Sequence, residues 1–153
     1  MSFSEALEGV KKIFLDTAPI IYFIEAHQQF GPLVKQVVDL INENRIQAVT
    51  SVLTISEVLP KPVETGNEEL AQKFMTYLRS GPNLDLITIG ESISESAGIL
   101  RGKNPYLKTV DAIQISAALD AEADAFLTND KKLSGIKEIR MISLSDYLPE
   151  KQP

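Results

Sequence analysis

Residues 13–24 read IFLDTAPIIYFI, and the handover inside this stretch decides the fold. Ile13-Phe14-Leu15 is a short apolar run of strand type that closes on Asp16. Pro19 then falls where the first turn of a helix tolerates a residue without an N–H, and Ile20, Ile21, Phe23 and Ile24 follow. A strand passes directly into a helix, with a carboxylate at the junction.

The same handover recurs downstream. Residues 47–53 (QAVTSVL) predict a second strand rich in β-branched side chains, and Thr54-Ile55-Ser56-Glu57 has the capping-box pattern of a helix start. Residues 84–89 (LDLITI) predict a third strand, followed by a helix over 91–100. Residues 125–127 form a fourth strand ending in Thr128-Asn129-Asp130, and 138–142 a weaker fifth. Between them, Val34, Val37, Val38 and Ile41 recur at helical spacing within 32–44. Pro60 and Pro62 break the helix after the second strand, residues 64–67 form a polar loop, and another helix spans 68–79. A helix opening near Thr109 runs through Asp111 to Leu119, small and apolar on most faces, as tight packing on a sheet demands. Strands alternating with helices predict an α/β fold with a mostly parallel sheet of four to five strands.

Length and composition agree. With 153 residues, 44% hydrophobic and 24% charged, one domain over 1–153 is expected, its core at about 13–148 and a frayed tail at 149–153. No cysteine is present, which excludes disulfides, thiolate zinc sites and cysteine nucleophiles. Residues 1–12 lack the basic-then-apolar layout of a signal peptide, and no apolar run approaches the roughly 20 residues a bilayer requires. A cytoplasmic protein without a membrane partner is therefore expected. Neither a Walker loop nor a GxGxxG fingerprint occurs, which disfavours nucleotide-cofactor enzymes. The net charge of −6 opposes nucleic-acid binding, since affinity for phosphate comes mainly from Lys and Arg.

Asp16, Glu57, Asp111 and Asp130 stand at strand C-termini or helix N-termini. In an open parallel sheet those ends share one edge, where ligands bind. Clustered carboxylates raise one another's pKa unless a cation joins them, and with only oxygen donors on offer Mg²⁺ or Mn²⁺ is the apt metal. Each acid also has a local explanation: Glu57 as the end of a capping box, Asp16 as an N-cap, Asp111 as a first-turn acid, Asp130 as a turn residue. The set carries the argument. Thr128 is the best candidate to hydrogen-bond one of the carboxylates; Ser56 and Thr17 also flank them, with local capping as the competing role. Arg101, Lys103, Lys108, Lys131 and Lys132 border Asp111 and Asp130 and are candidates for contacts to a nucleic-acid backbone. His27, the sole histidine, has no triad partners nearby and is assigned no role. The run Ile20 to Ile24 is too apolar for one buried face, which leaves an oligomer or partner surface and complete burial both open.

The segments Ile13-Phe14-Leu15-Asp16-Thr17, Thr54-Ile55-Ser56-Glu57-Val58, Leu107-Lys108-Thr109-Val110-Asp111-Ala112-Ile113 and Phe126-Leu127-Thr128-Asn129-Asp130 resemble, in order, the four acidic motifs of PIN domains. The resemblance spans about residues 13–142, and in length the chain is similar to the VapC-type toxins of toxin–antitoxin pairs. It implies a three-layer α/β/α sandwich and a Mg²⁺- or Mn²⁺-dependent ribonuclease. Asp16, Glu57 and Asp111 would bind or position the metal, with Asp130 completing the site directly or through water. RNA is the implied substrate, a small antitoxin the implied partner, and a homodimer the expected assembly. A noncatalytic PIN-like domain that binds RNA or protein is the alternative. A phosphoacceptor receiver domain is disfavoured, because Asp16 has no adjacent acid.

Overall fold

The computed structural model describes residues 1–149. Five strands, β1 (Lys12–Leu15), β2 (Gln47–Ser51), β3 (Leu84–Ile87), β4 (Ala125–Thr128) and β5 (Arg140–Ser143), form one sheet in the order β3-β2-β1-β4-β5. Every pairing is parallel, with Phe14 opposite both Val49 and Phe126. The chain builds outward from β1 through β2 to β3, then returns to the other side of β1 for β4 and β5. That reversal puts the switch point of the sheet at β1, and the strand C-termini share one edge.

The helices are α1 (Phe3–Ala6), α2 (Thr17–Ile24), α3 (Gly31–Asn42), α4 (Leu53–Val58), α5 (Pro60–Glu64), α6 (Glu68–Ser80), α7 (Glu91–Lys103) and α8 (Thr109–Asp120), with 3₁₀ turns at Lys131–Gly135 and Leu144–Tyr147. Because successive strand residues point to opposite faces, the strands feed two cores. Ile13, Leu15, Ala48, Leu127 and Ile142 pack with Ile20, Val34, Val37, Phe74 and Leu78 on one side. Phe14, Val49 and Phe126 pack with Ile93, Ala97, Ala112, Ile115 and Ala118 on the other. The Phe14 and Phe126 rings stack across the β1–β4 pair, 5.1 Å between centroids and 4° from parallel. A sheet buried on both faces explains why its strands read as apolar runs rather than alternating ones. The result is the expected three-layer α/β/α sandwich, with five strands, all parallel.

Several boundaries differ from expectation. α1 carries no periodic signal because it has only four residues, although Phe3 and Ala6 are buried. β2 and β3 stop at Ser51 and Ile87, two residues short, and Leu53 already opens α4. Pro60 does end the influence of α4, but it then serves as the first residue of α5, where its missing N–H is harmless. α7 continues past residue 100 to Lys103, its last turn carrying Arg101 and Lys103 where cations complement the helix dipole. Of the tail expected to fray, residues 150–153 lie outside the described residues. Among the described residues no helix is long and apolar enough to cross a membrane.

Candidate functional site

Asp16 follows β1 and is the N-cap of α2: its backbone is extended and its Oδ1 accepts a hydrogen bond from the Thr17 N–H at 2.9 Å. Its other oxygen, Oδ2, accepts from the Thr128 hydroxyl at the end of β4, 2.8 Å away. That same hydroxyl oxygen accepts from the backbone N–H of Asp130 at 3.1 Å, so Thr128 ties two of the acidic positions together. Asp130 in turn caps the following 3₁₀ turn, its Oδ1 accepting from the Lys132 N–H at 3.0 Å. From α4, Glu57 Oε1 accepts the Thr17 hydroxyl at 2.8 Å. Asp111 lies in the first turn of α8.

Electrostatics shows that the four acids share one field. Burial pushes Asp16 up to about 6, the hydrogen bonds from Thr128 and Thr17 pull against it, and the charges of Asp111 and Glu57 push further. Asp111 is also raised, by burial first and then by Asp130 and Glu57, with Lys108 and Lys132 opposing. Asp16 after β1 feels Asp111 and Glu57, and Asp111 feels Glu57 and Asp130, so the four acids are linked through Asp111; they offer only carboxylate oxygens, the donors of Mg²⁺ and Mn²⁺ rather than zinc. Among the described residues no three acidic or histidine side chains close on a common point as a finished metal cage. Glu57 and Asp130 are instead turned to Thr17 and to the Lys132 backbone.

The basic residues divide. Lys108 and Lys132 act on Asp111, whereas Arg101 directs its Nε–H to the Leu107 carbonyl at 3.1 Å and pins the loop before α8. Lys103 lines a shallow cavity on the outer face of α7 and α8, beside Leu119 and Glu138. Lys131 is exposed at the start of its 3₁₀ turn. Ser56 is exposed, and Thr17 reaches Glu57 rather than a backbone group of its own helix. The capping box expected at residues 54–57 does not form. α4 starts two residues earlier, with Val52 at its N-cap; Thr54 is fully buried, and its hydroxyl is taken up by Thr50 and Gln114. His27 caps its own turn, its Nδ1 accepting the Gln29 and Phe30 N–H groups. The apolar run of α2 splits: Ile20 is buried, while Ile21 to Ile24 are partly buried against the core, and Phe23 and Ile24 wall an apolar groove with Tyr77 and Pro82. That groove contains none of the four acids.

Two sets of side chains went unassigned in the sequence. Asn129 donates from Nδ2 to the Tyr22 hydroxyl at 2.9 Å and accepts the Ser145 N–H at 3.1 Å, bracing the segment between Thr128 and Asp130. Thr50, Ser51, Thr54 and Gln114 form a buried polar network under the site. The one available signal was Gln114 itself, a lone amide within the apolar stretch Ala112 to Leu119 and three residues after Asp111.

A family model described as PIN domain matches residues 13–139. Solved structures with the same fold include VapBC2 from Rickettsia felis bound to a DNA fragment from their promoter, with a TM-score of 0.70, 18% identity, and coverage of 86% of this chain and 98% of that chain. A toxin-antitoxin complex from Klebsiella pneumoniae gives a TM-score of 0.64 at 20% identity, covering 86% and 97%. VapC20 from Mycobacterium tuberculosis, a sarcin-ricin loop cleaving toxin, gives 0.63 at 17% identity, covering 84% and 98%. At these identities the likeness is one of fold. No curated protein sequence matches.

Proposed function

The chain belongs to the PIN domain family, and on that premise we propose that it is a metal-dependent endoribonuclease, the toxin of a type II toxin–antitoxin pair acting in the cytoplasm. The observation that carries the proposal is the shared field of Asp16, Glu57, Asp111 and Asp130, in which a buried Asp16 is pushed to about 6. Carboxylates gathered this way are a standing cost until a cation neutralises them. The all-oxygen donor set fits Mg²⁺ or Mn²⁺, with Asp16, Glu57 and Asp111 as its holders and Asp130 completing the site. When bound, such an ion supplies Lewis-acid activation of water and of the scissile phosphodiester. Thr128 keeps Asp16 aimed while bracing the Asp130 backbone, and Thr17 restrains Glu57. Lys108 and Lys132, with Lys131 beside them, serve the flanking phosphates; Arg101 contributes by fixing the loop that delivers Lys108, and Lys103 stands further out on α7.

Fold similarity to toxin–antitoxin complexes supports a small antitoxin as partner, and a homodimer is the assembly proposed with it. The apolar groove between α2 and α6, walled by Phe23, Ile24, Tyr77 and Pro82, supplies surface for such an association. The competing reading is a noncatalytic PIN-like domain that binds RNA or protein, and the net charge of −6, which opposes phosphate binding, favours its protein-binding form. The two are separated by incubating a panel of structured RNAs, including a sarcin-ricin loop hairpin, with Mg²⁺ or Mn²⁺ and comparing wild type with folded Asp16→Asn and Asp111→Asn. Cleavage by wild type alone is the expected result. No cleavage together with no divalent-metal binding by calorimetry would overturn the proposal in favour of a binding domain.

A further inference from the structure

Gln114 is completely buried in α8, one turn after Asp111. Its Oε1 accepts the hydroxyl of Ser51, the last residue of β2, and its Nε2 donates to Thr54 Oγ1 in α4 at 3.0 Å. Thr54 and Thr50 hydroxyl oxygens are 2.8 Å apart, and the Thr50 hydroxyl donates to the Leu15 carbonyl at 2.8 Å. Each hydroxyl has one proton, so every direction in the network is determined. Thr50 gives its proton to Leu15, Thr54 must therefore give its own to Thr50, and Thr54 is left to accept from an amide. Ser51 gives its proton to Gln114 and accepts the Leu53 N–H at 3.2 Å. The position in α8 thus requires one donor and one acceptor at the end of a chain of this length, which glutamine alone supplies.

The elements joined by this network are the ones that carry the acids. Leu15 immediately precedes Asp16, Thr54 lies one turn before Glu57 on α4, and Gln114 lies one turn after Asp111 on α8. Residues three apart share a helix face, so fixing Thr54 and Gln114 fixes the rotation and height of the faces that present Glu57 and Asp111. Hydrogen bonds at zero exposure resist displacement, because any shift leaves a polar group unpaired away from water.

We infer that Gln114 is a positioning residue of the acidic site, setting α8 against β2 and α4 so that Asp111 and Glu57 stand in register with Asp16. The inference rests on the proposal that these acids hold a divalent cation. Its test is Mn²⁺ titration by calorimetry on the full chain, with folding monitored by circular dichroism. Gln114→Leu and Thr54→Val, which keep size and remove the hydrogen bonds, should weaken Mn²⁺ binding roughly 10- to 100-fold, the usual effect of losing a group that orients a metal ligand. Thr54→Ser keeps the hydroxyl and should bind as wild type. Ile115→Val, a core change on the same helix within the cluster of Phe14, Val49 and Phe126 and outside the hydrogen-bond network, should also leave affinity unaltered. Folded Gln114→Leu and Thr54→Val with wild-type affinity, or equal loss in Ile115→Val, would overturn the inference. A wild type that binds no Mn²⁺ would instead remove the metal site itself and the inference with it.

Discussion

Asp16 and Asp124 stand at opposite ends of the β1–β4 seam, one just after β1 and the other just before β4. Each carboxylate accepts two hydrogen bonds. Asp124 Oδ2 takes the Lys11 and Lys12 N–H groups at 2.9 Å each, and Asp16 takes Thr17 and Thr128 at 2.9 and 2.8 Å. Donor count therefore does not distinguish them; surroundings do. Asp124 is exposed and serves to tie the start of β1 to β4, while Asp16 is lifted to about 6, first by burial and then by the charges of Asp111 and Glu57. One carboxylate completes the structure, and the other carries a charge that its surroundings disfavour.

The largest effect that could break this contrast is on cleavage. Asp16→Asn should lose at least about 100-fold of RNA-cleaving activity in Mg²⁺, and Asp124→Asn should stay within about twofold of wild type. Equal losses, or none, would mean that the two ends of the seam do not differ in function.

Stability should move in the opposite sense. The folded state holds the Asp16 proton more tightly than the unfolded chain, raising the carboxyl from 3.8 to about 6. Its contribution is therefore intact below pH 4 and is lost as pH rises through 6. In metal-free urea denaturation at pH 7.5, Asp16→Asn should gain on the order of 2 kcal/mol, and that gain should vanish near pH 4. Asp124→Ala should lose about 1–2 kcal/mol through its unpaired backbone donors. By the same linkage, added Mg²⁺ should raise the wild-type Tm more at pH 7.5 than at pH 5.5, where a proton competes for Asp16.

A smaller effect tests whether Thr128 restrains the Asp16 field. Thr128→Val removes a hydroxyl donor and should move the Asp16 carboxyl above its present value of about 6, read by ¹³C NMR titration. The smallest change lies outside both carboxylates. Glu122 ends α8 at φ 58°, a conformation a side chain disfavours, so Glu122→Gly should gain about 0.5 kcal/mol without altering cleavage. An effect of Glu122→Gly on activity would show that the site depends on the far end of α8.

Much of the architecture was legible because it is written in local periodicity. The handover at Ile13 to Ile24, the apolar helix face of Val34, Val37, Val38 and Ile41, and the strand ending in Thr128-Asn129-Asp130 each need only neighbours in the chain to be read. Misreadings came where a distant partner displaced a local one. Thr54 and Glu57 have capping-box spacing, but Thr54 is claimed by Gln114 and Thr50, and Glu57 by Thr17. Pro60 was legible as a break yet not as the first residue of α5, because the conformation of the chain after a proline depends on the surface against which the next turn packs.

By itself the sequence determined an α/β chain with a parallel sheet and with carboxylates at its strand-to-helix junctions, since hydrophobic period and turn chemistry are properties of adjacent residues. Only the tertiary structure decided that Asp16, Glu57, Asp111 and Asp130 are coupled, that Asp124 instead ties β1 to β4, and that Gln114 joins α8 to α4 and β2. The physical reason is that burial and like-charge coupling depend on distances through space, which the strand order β3-β2-β1-β4-β5 creates and chain neighbours do not specify.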